Sequence, residues 1–174
     1  MAILEVLTIP DPRLKRESPP VERFDASLRD FIHDLEETMC SSPGGVGIAA
    51  PQVARFERIV IVDVSCKPKI KNHGRLVLIN PEIIEWQGME KGREGCMSVP
   101  DYTGNVIRAK TIKLKAFNES GELCSYDCEG YEARAIQHEV DHLDGVLFLD
   151  RLVSRRTDLF QRKVYQDKPP LKPE

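Results

Sequence analysis

The chain lacks any apolar run near the ~20 residues needed to cross a bilayer, which excludes a helical membrane span at the level of sequence. An excess of positive charge is also missing: the formal net charge is −3 at pH 7, so no broad nucleic-acid surface is expected. The local basic cluster Arg151, Arg155, Arg156 reads as a solvated helix start. Cysteine is sparse and odd in number, five in 174 residues. That excludes a dense disulfide framework and points to free or metal-bound thiols in a reducing, cytoplasmic setting. The opening MAILEVLTIPDPRLKRESPP has no basic start, long apolar stretch or small-residue cleavage site, and so does not read as a signal peptide. Internal repeats and long linkers are absent as well. Histidine is scarcest of the chemically versatile residues, at four, which makes the placement of each one informative.

What is there suits one domain with a real core. Apolar residues make up 41% and charged residues 30%, an ordinary balance for a soluble globular protein. The first twenty residues read as a chain laid on the surface. Asp25 is a candidate N-cap for a helix with Leu28, Phe31, Ile32, Leu35 and Met39 on one stripe, broken by Pro43, Gly44 and Gly45. Residues 58–64, 76–80, 82–86, 111–117 and 123–127 are strand candidates, with Pro81 splitting the second from the third. A second helix is expected over 131–144, stopped by Gly145, and a third over 154–165. The fold class predicted is α+β: mixed or antiparallel strands packed around a central helix, with an N-terminal helix and a C-terminal helix. Residues 1–166 are taken as one catalytic domain and 167–174 as a polar, disordered tail.

The central helix carries QHEVDHLD, residues 137–144, and with it the pattern His-Glu-x-x-His. Residues four apart share a helix face, so His138 and His142 can grip one metal ion while Glu139 reaches a water on it. The alternative is a chance pair of ordinary surface histidines. A third ligand decides the class. A metzincin would place a histidine at 148, where Phe148 stands. A thermolysin-like glutamate is missing downstream. Upstream, REGCMSVP offers Cys96, whose thiolate suits zinc or ferrous iron and would leave a fourth position for water. Cys124 and Cys128 read as too few and wrongly spaced for a second zinc site. Cys40 and Cys66 read as buried small hydrophobes.

GGVGIAAPQ, residues 44–52, lacks the Gly-Lys-Ser/Thr of a phosphate loop. Its glycines could instead let an extended substrate backbone lie alongside, with the Gln52 amide donating to a developing oxyanion. Arg134 lies one turn before His138. It is either a solvated charge on an exposed first turn, or a wall of the substrate pocket whose guanidinium reaches the rim and attracts the carboxylate end of a short peptide.

GGVGIAAPQ, EGCMSVP and QHEVDHLDG, in that order, resemble the three signature motifs of peptide deformylase, and the resemblance covers nearly the whole chain. It implies a hydrolase of N-terminal processing in protein biosynthesis, which removes the formyl group from the N-terminal formyl-methionine of newly made polypeptides and releases formate. It implies one divalent ion on Cys96, His138 and His142, with Fe(II) native and Zn(II) or Ni(II) as substitutes. Glu139 would carry the proton, and Gln52 with the backbone N–H of Met97 would meet the oxyanion. Gly45, Val46, Gly47 and Ile48 would line or border the methionine pocket, the Gly47 carbonyl pairing with the substrate backbone. Glu94 and Arg108 would form an ion pair steadying the cysteine loop. The partners implied are nascent formyl-methionyl chains near the ribosome exit, with no nucleic acid and no membrane. An HExxH metalloprotease, a nucleophilic Cys96, and an inactive deformylase-like binding protein stand as alternatives.

Overall fold

The computed structural model describes residues 2–162. Asp25 caps the first helix, α1 (Ala26–Ser41), accepting from the Leu28 N–H at 2.9 Å. Leu28, Ile32, Leu35 and Met39 are buried along one face, each worth about 1.5–3 kcal/mol relative to exposure. Strands β1 (Gly47–Ala49), β2 (Ile59–Val62) and β3 (Leu76–Gln87) follow. Next come β4 (Glu90–Cys96), β5 (Val99–Arg108), β6 (Thr111–Phe117) and β7 (Leu123–Glu129). The central helix α2 spans Gly130–Leu143, and β8 is Leu159–Gln161.

One sheet has the order β1-β2-β3-β6-β7 and the other β4-β5-β8. All pairings are antiparallel. Among the described residues β1 is therefore an edge, paired only with β2. α2 buries Ala133, Ile136 and Leu143 against Val60, Val62, Leu78 and Leu114 of the first sheet. Its polar side chains reach the second sheet through Arg134. The α+β class and the central motif-bearing helix predicted from sequence are both present. Among the described residues no helix is long and apolar enough to cross a membrane.

Several expectations need correction. Residues 154–162 form turns and β8 instead of a third helix. The apolar spacing there serves an edge strand, with Leu159 and Phe160 pairing onto β5. The remainder of that predicted helix, 163–165, and the tail 167–174 lie outside the described residues. Pro81 does not split a strand in two: β3 runs through it with a register shift between Ile79 and Glu82. Asn80 turns the chain at φ 52 and its side chain clasps both backbone groups of Val21, which absorbs the missing proline N–H as a bulge. Cys40 and Cys66 are exposed. Arg151 starts no helix and pairs with Asp141. The N-terminal stretch is only partly superficial, since Leu7 and Leu14 are buried with Leu147.

Candidate active site

The site forms where three elements meet: the β1 loop, the β4–β5 hairpin and α2. α2 begins at Gly130, where φ is +58, and ends where Gly145 adopts φ +70 and a Cβ would collide with the Lys15 carbonyl. The helix so held presents His138 and His142 on one face. Cys96 comes from the end of β4, where the register jumps between Gly95 and Cys96. The Cys96 Sγ and one imidazole nitrogen each of His138 and His142 lie within 4.8 Å of one another, and all three residues are buried. Cys96 Sγ is 3.4 Å from His142 Nε2.

Burial alone would raise the Cys96 thiol, but the facing imidazoles of His142 and His138 hold it well below its ordinary range. Burial likewise disfavours a charged His138, yet Cys96 and Glu94 hold it well above its ordinary value. Burial pushes the Glu139 carboxyl up to about 7 against the pull of His138 and His142. Two buried atoms here, Glu139 Oε2 and His142 Nδ1, have no hydrogen-bond partner among the described residues. A thiol and two imidazoles in one buried cluster, beside an orphaned carboxylate oxygen, fit a divalent ion of the zinc and ferrous iron class carrying a water.

Glu94 anchors the cluster. His138 Nδ1 lies 2.8 Å from its Oε1, which fixes the ring and leaves Nε2 facing the cleft. Arg108 binds the same carboxylate through two bonds of 2.9 Å and reaches Asp141 at 2.6 Å. Burial would raise the Glu94 carboxyl, but His138 and Arg108 hold it well below the usual range. Asp141, unnoticed in the sequence, thereby ties α2 to β5 and also takes two bonds from Arg151.

Gln52 Oε1 accepts from the Ala49 N–H at 3.0 Å. This turns Nε2 toward Ser98 Oγ at 3.1 Å and Cys96 Sγ at 3.5 Å. Ser98 is the other partner that sequence reasoning missed; its place beside Cys96 in EGCMSVP was the available signal. Met97 stands in the turn between β4 and β5. A cleft of about 660 Å³ opens over the cluster and is bordered by Gly45, Val46, Gly47, Met97 and Tyr131. Ile48 does not border it: its side chain is fully buried in the core against α1, on the opposite face of β1. A Cβ on Gly47 would lie 2.8 Å from Glu139 Oε1, so the absent side chain is what lets the carboxylate approach.

Arg134 borders the cleft, but its guanidinium is neither solvated nor at the rim. It donates to Glu94 Oε2 at 2.7 Å, the Val106 carbonyl at 3.0 Å and the Glu90 carbonyl at 2.7 Å. The residue is only 8% exposed. A buried carboxylate and two strand carbonyls outcompete water for so many fixed donors.

Residues 3–158 match the family model for polypeptide deformylase. The peptide deformylase of Nautilia profundicola is 42% identical over 167 residues, covering 95% of this chain and 92% of that protein. The crystal structure of peptide deformylase from Thermotoga maritima superposes with a TM-score of 0.80 at 39% identity, covering 87% of this chain and 99% of that one. A Met-Ala-Ser-bound class I type b peptide deformylase from Acinetobacter baumannii gives a TM-score of 0.80 at 38% identity, with 86% of this chain and 98% of that one covered. On fold, ligand geometry and sequence together, the chain belongs to the peptide deformylase family, metal-dependent enzymes that remove the formyl group from nascent peptides.

Proposed function

We propose that this cleft hydrolyses the N-formyl-methionyl amide of new polypeptides to formate and a free amine, with Cys96, His138 and His142 holding one divalent ion, Fe(II) in the cell. Zn(II) or Ni(II) suits the same donors. The observation that carries the reading is the convergence of that ligand set with Glu139 and Gln52 on one cleft beside an unpaired strand edge. When bound, the ion supplies Lewis acidity, lowering the pKa of a water and polarising the formyl carbonyl.

The protein's own groups do the rest. The free edge of β1 accepts the substrate backbone as an added strand, through the Gly47 carbonyl. Val46 and Gly45 line the space for the methionine side chain, an apolar thioether. Glu139 takes the proton of the attacking water on its carboxylate and delivers it to the departing amine. Its raised proton affinity suits both halves of that task. The Gln52 Nε2–H, aimed by the Ala49 bond, and the Met97 N–H donate to the oxygen that gains charge. Glu94 orients His138, and Arg108 and Arg134 hold Glu94. Residues 1–166 act as one catalytic domain; the family match over 3–158 supports this.

The test is formate release from formyl-Met-Ala-Ser by protein purified anaerobically and analysed for metal. The reading expects turnover that chelation abolishes and Fe(II), Ni(II) or Zn(II) restores. Internal peptide cleavage without formate would favour the protease alternative. Absence of formate with each metal restored would sink the assignment.

A further inference from the structure

Away from the cleft, three side chains converge that the reaction does not use. His73 lies on the segment between β2 and β3, Cys128 near the end of β7, and Glu132 in the first turn of α2. The ligand atoms of all three lie within 4.8 Å of one another. Glu132 is 1% exposed, yet among the described residues no lysine or arginine pairs with its carboxylate. Its partners are the His73 backbone N–H at 2.7 Å and the His73 Nδ1 at 2.6 Å. A buried carboxylate without a fixed cation is costly. Cys128 is also buried, and its Sγ stands 3.8 Å from the same Nδ1.

We propose that His73, Cys128 and Glu132 form a second metal site, for a divalent ion of the zinc class with solvent in its fourth position. One imidazole, one thiolate and one carboxylate are a zinc donor set, and their two negative charges neutralise the ion. Tetrahedral zinc bond lengths place N and S roughly 3.5 Å apart, close to the spacing of His73 Nδ1 and Cys128 Sγ. The carboxylate oxygen and Nδ1 move apart by a side-chain rotation to admit the ion. The His73 side chain is 37% exposed, which leaves an entry path and room for water. On binding, the ion displaces the proton of the Cys128 thiol to solvent, and it takes Nδ1 of a neutral His73 imidazole whose proton sits on Nε2. Burial and Glu132 hold the proton on the free thiol, so proton release opposes loading and binding strengthens as pH rises. The filled site ties the β2–β3 segment to α2. That segment carries Lys67, which stacks over Tyr131 at 5.3 Å on the border of the cleft. The role is structural, and it does not depend on the identity of the reaction next door.

The test uses holoenzyme whose cleft is already filled with Ni(II), titrated with Co(II) and followed by the thiolate-to-cobalt charge-transfer band. One further equivalent should bind with that band. Cys128→Ala should abolish the band, and His73→Ala should weaken Co(II) binding by about 10-fold or more, at least what outer-shell changes alone cost. Both variants keep the cleft residues, so nickel content serves as the folding control. A wild-type protein that takes up no further cobalt, or Cys128→Ala and His73→Ala proteins that bind it as the wild type does, would overturn the second site and leave His73 and Glu132 as a simple ion pair.

Discussion

At Gly47 the missing side chain does chemical work by its absence. A methyl group there would press on Glu139 Oε1 at 2.8 Å and on Cγ at 2.9 Å. Gly47→Ala should therefore keep its metal and its fold, and lose formate release by about 100-fold, the cost of displacing a reacting group by roughly 1 Å. Elemental analysis and circular dichroism check the first part, and the formate assay checks the second; an unchanged rate would mean the carboxylate acts from elsewhere. Glu139→Ala should retain metal while turnover drops by roughly 10²–10⁴-fold. Loss of the ion in that variant would make Glu139 a ligand instead of a proton carrier. These two residues were both visible in the sequence, one inside a glycine-rich motif and one inside HExxH. Their mutual contact was not, because it joins positions far apart in the chain.

At the scale of elements, α2 is clamped to β4 and β5 by a buried charge network. Glu94 receives Arg108 and Arg134, and Asp141 receives Arg108 and Arg151. Arg134→Leu removes one of the two arginines on Glu94 and leaves two strand carbonyls unmet, and should lower stability by about 3 kcal/mol in urea unfolding. Because the guanidinium is spent on this network, the Michaelis constants for short formyl peptides ending in a carboxylate and for their amides should shift by the same factor. A larger effect on the acids would restore Arg134 to the rim of the pocket. Helices α1 and α2 were legible from their stripes and breakers, and the β6 alternation from Ile112, Leu114 and Ala116. The β4–β5 hairpin escaped notice because Glu90–Cys96 carries little apolar alternation: its stability comes from pairing with β5 and from Arg134 beneath it. The spacing around β8 reads as a helix for a related reason, since three residues at a sheet edge leave almost no periodic signal.

The whole molecule gathers the proposed ligands from β4 and α2, so the ion should act as a staple between them. Anything that binds only the folded state stabilises it by mass action, about 2.7 kcal/mol at 100-fold over the dissociation constant. Chelation should then lower the melting temperature by roughly 5–10 °C for a chain of this size, as followed by scanning calorimetry. A melting temperature indifferent to chelator would show that the ligands are held without the ion. The three ordered motifs, the α+β class and the candidate metal ligands Cys96, His138 and His142 were legible in the sequence alone. Helix periodicity puts His138 and His142 on one face, and the place of Cys96 in EGCMSVP marks it as their candidate partner. Only the tertiary structure decided which way Arg134 points, that Ile48 faces the core, that Asp141 and Ser98 support the site, and that His73 meets Cys128 and Glu132. Each of those outcomes depends on which long-range partner outcompetes water for a polar group, or on which face of a strand is covered. Neither is encoded in the neighbours along the chain; both exist only once the two sheets have closed on the helix.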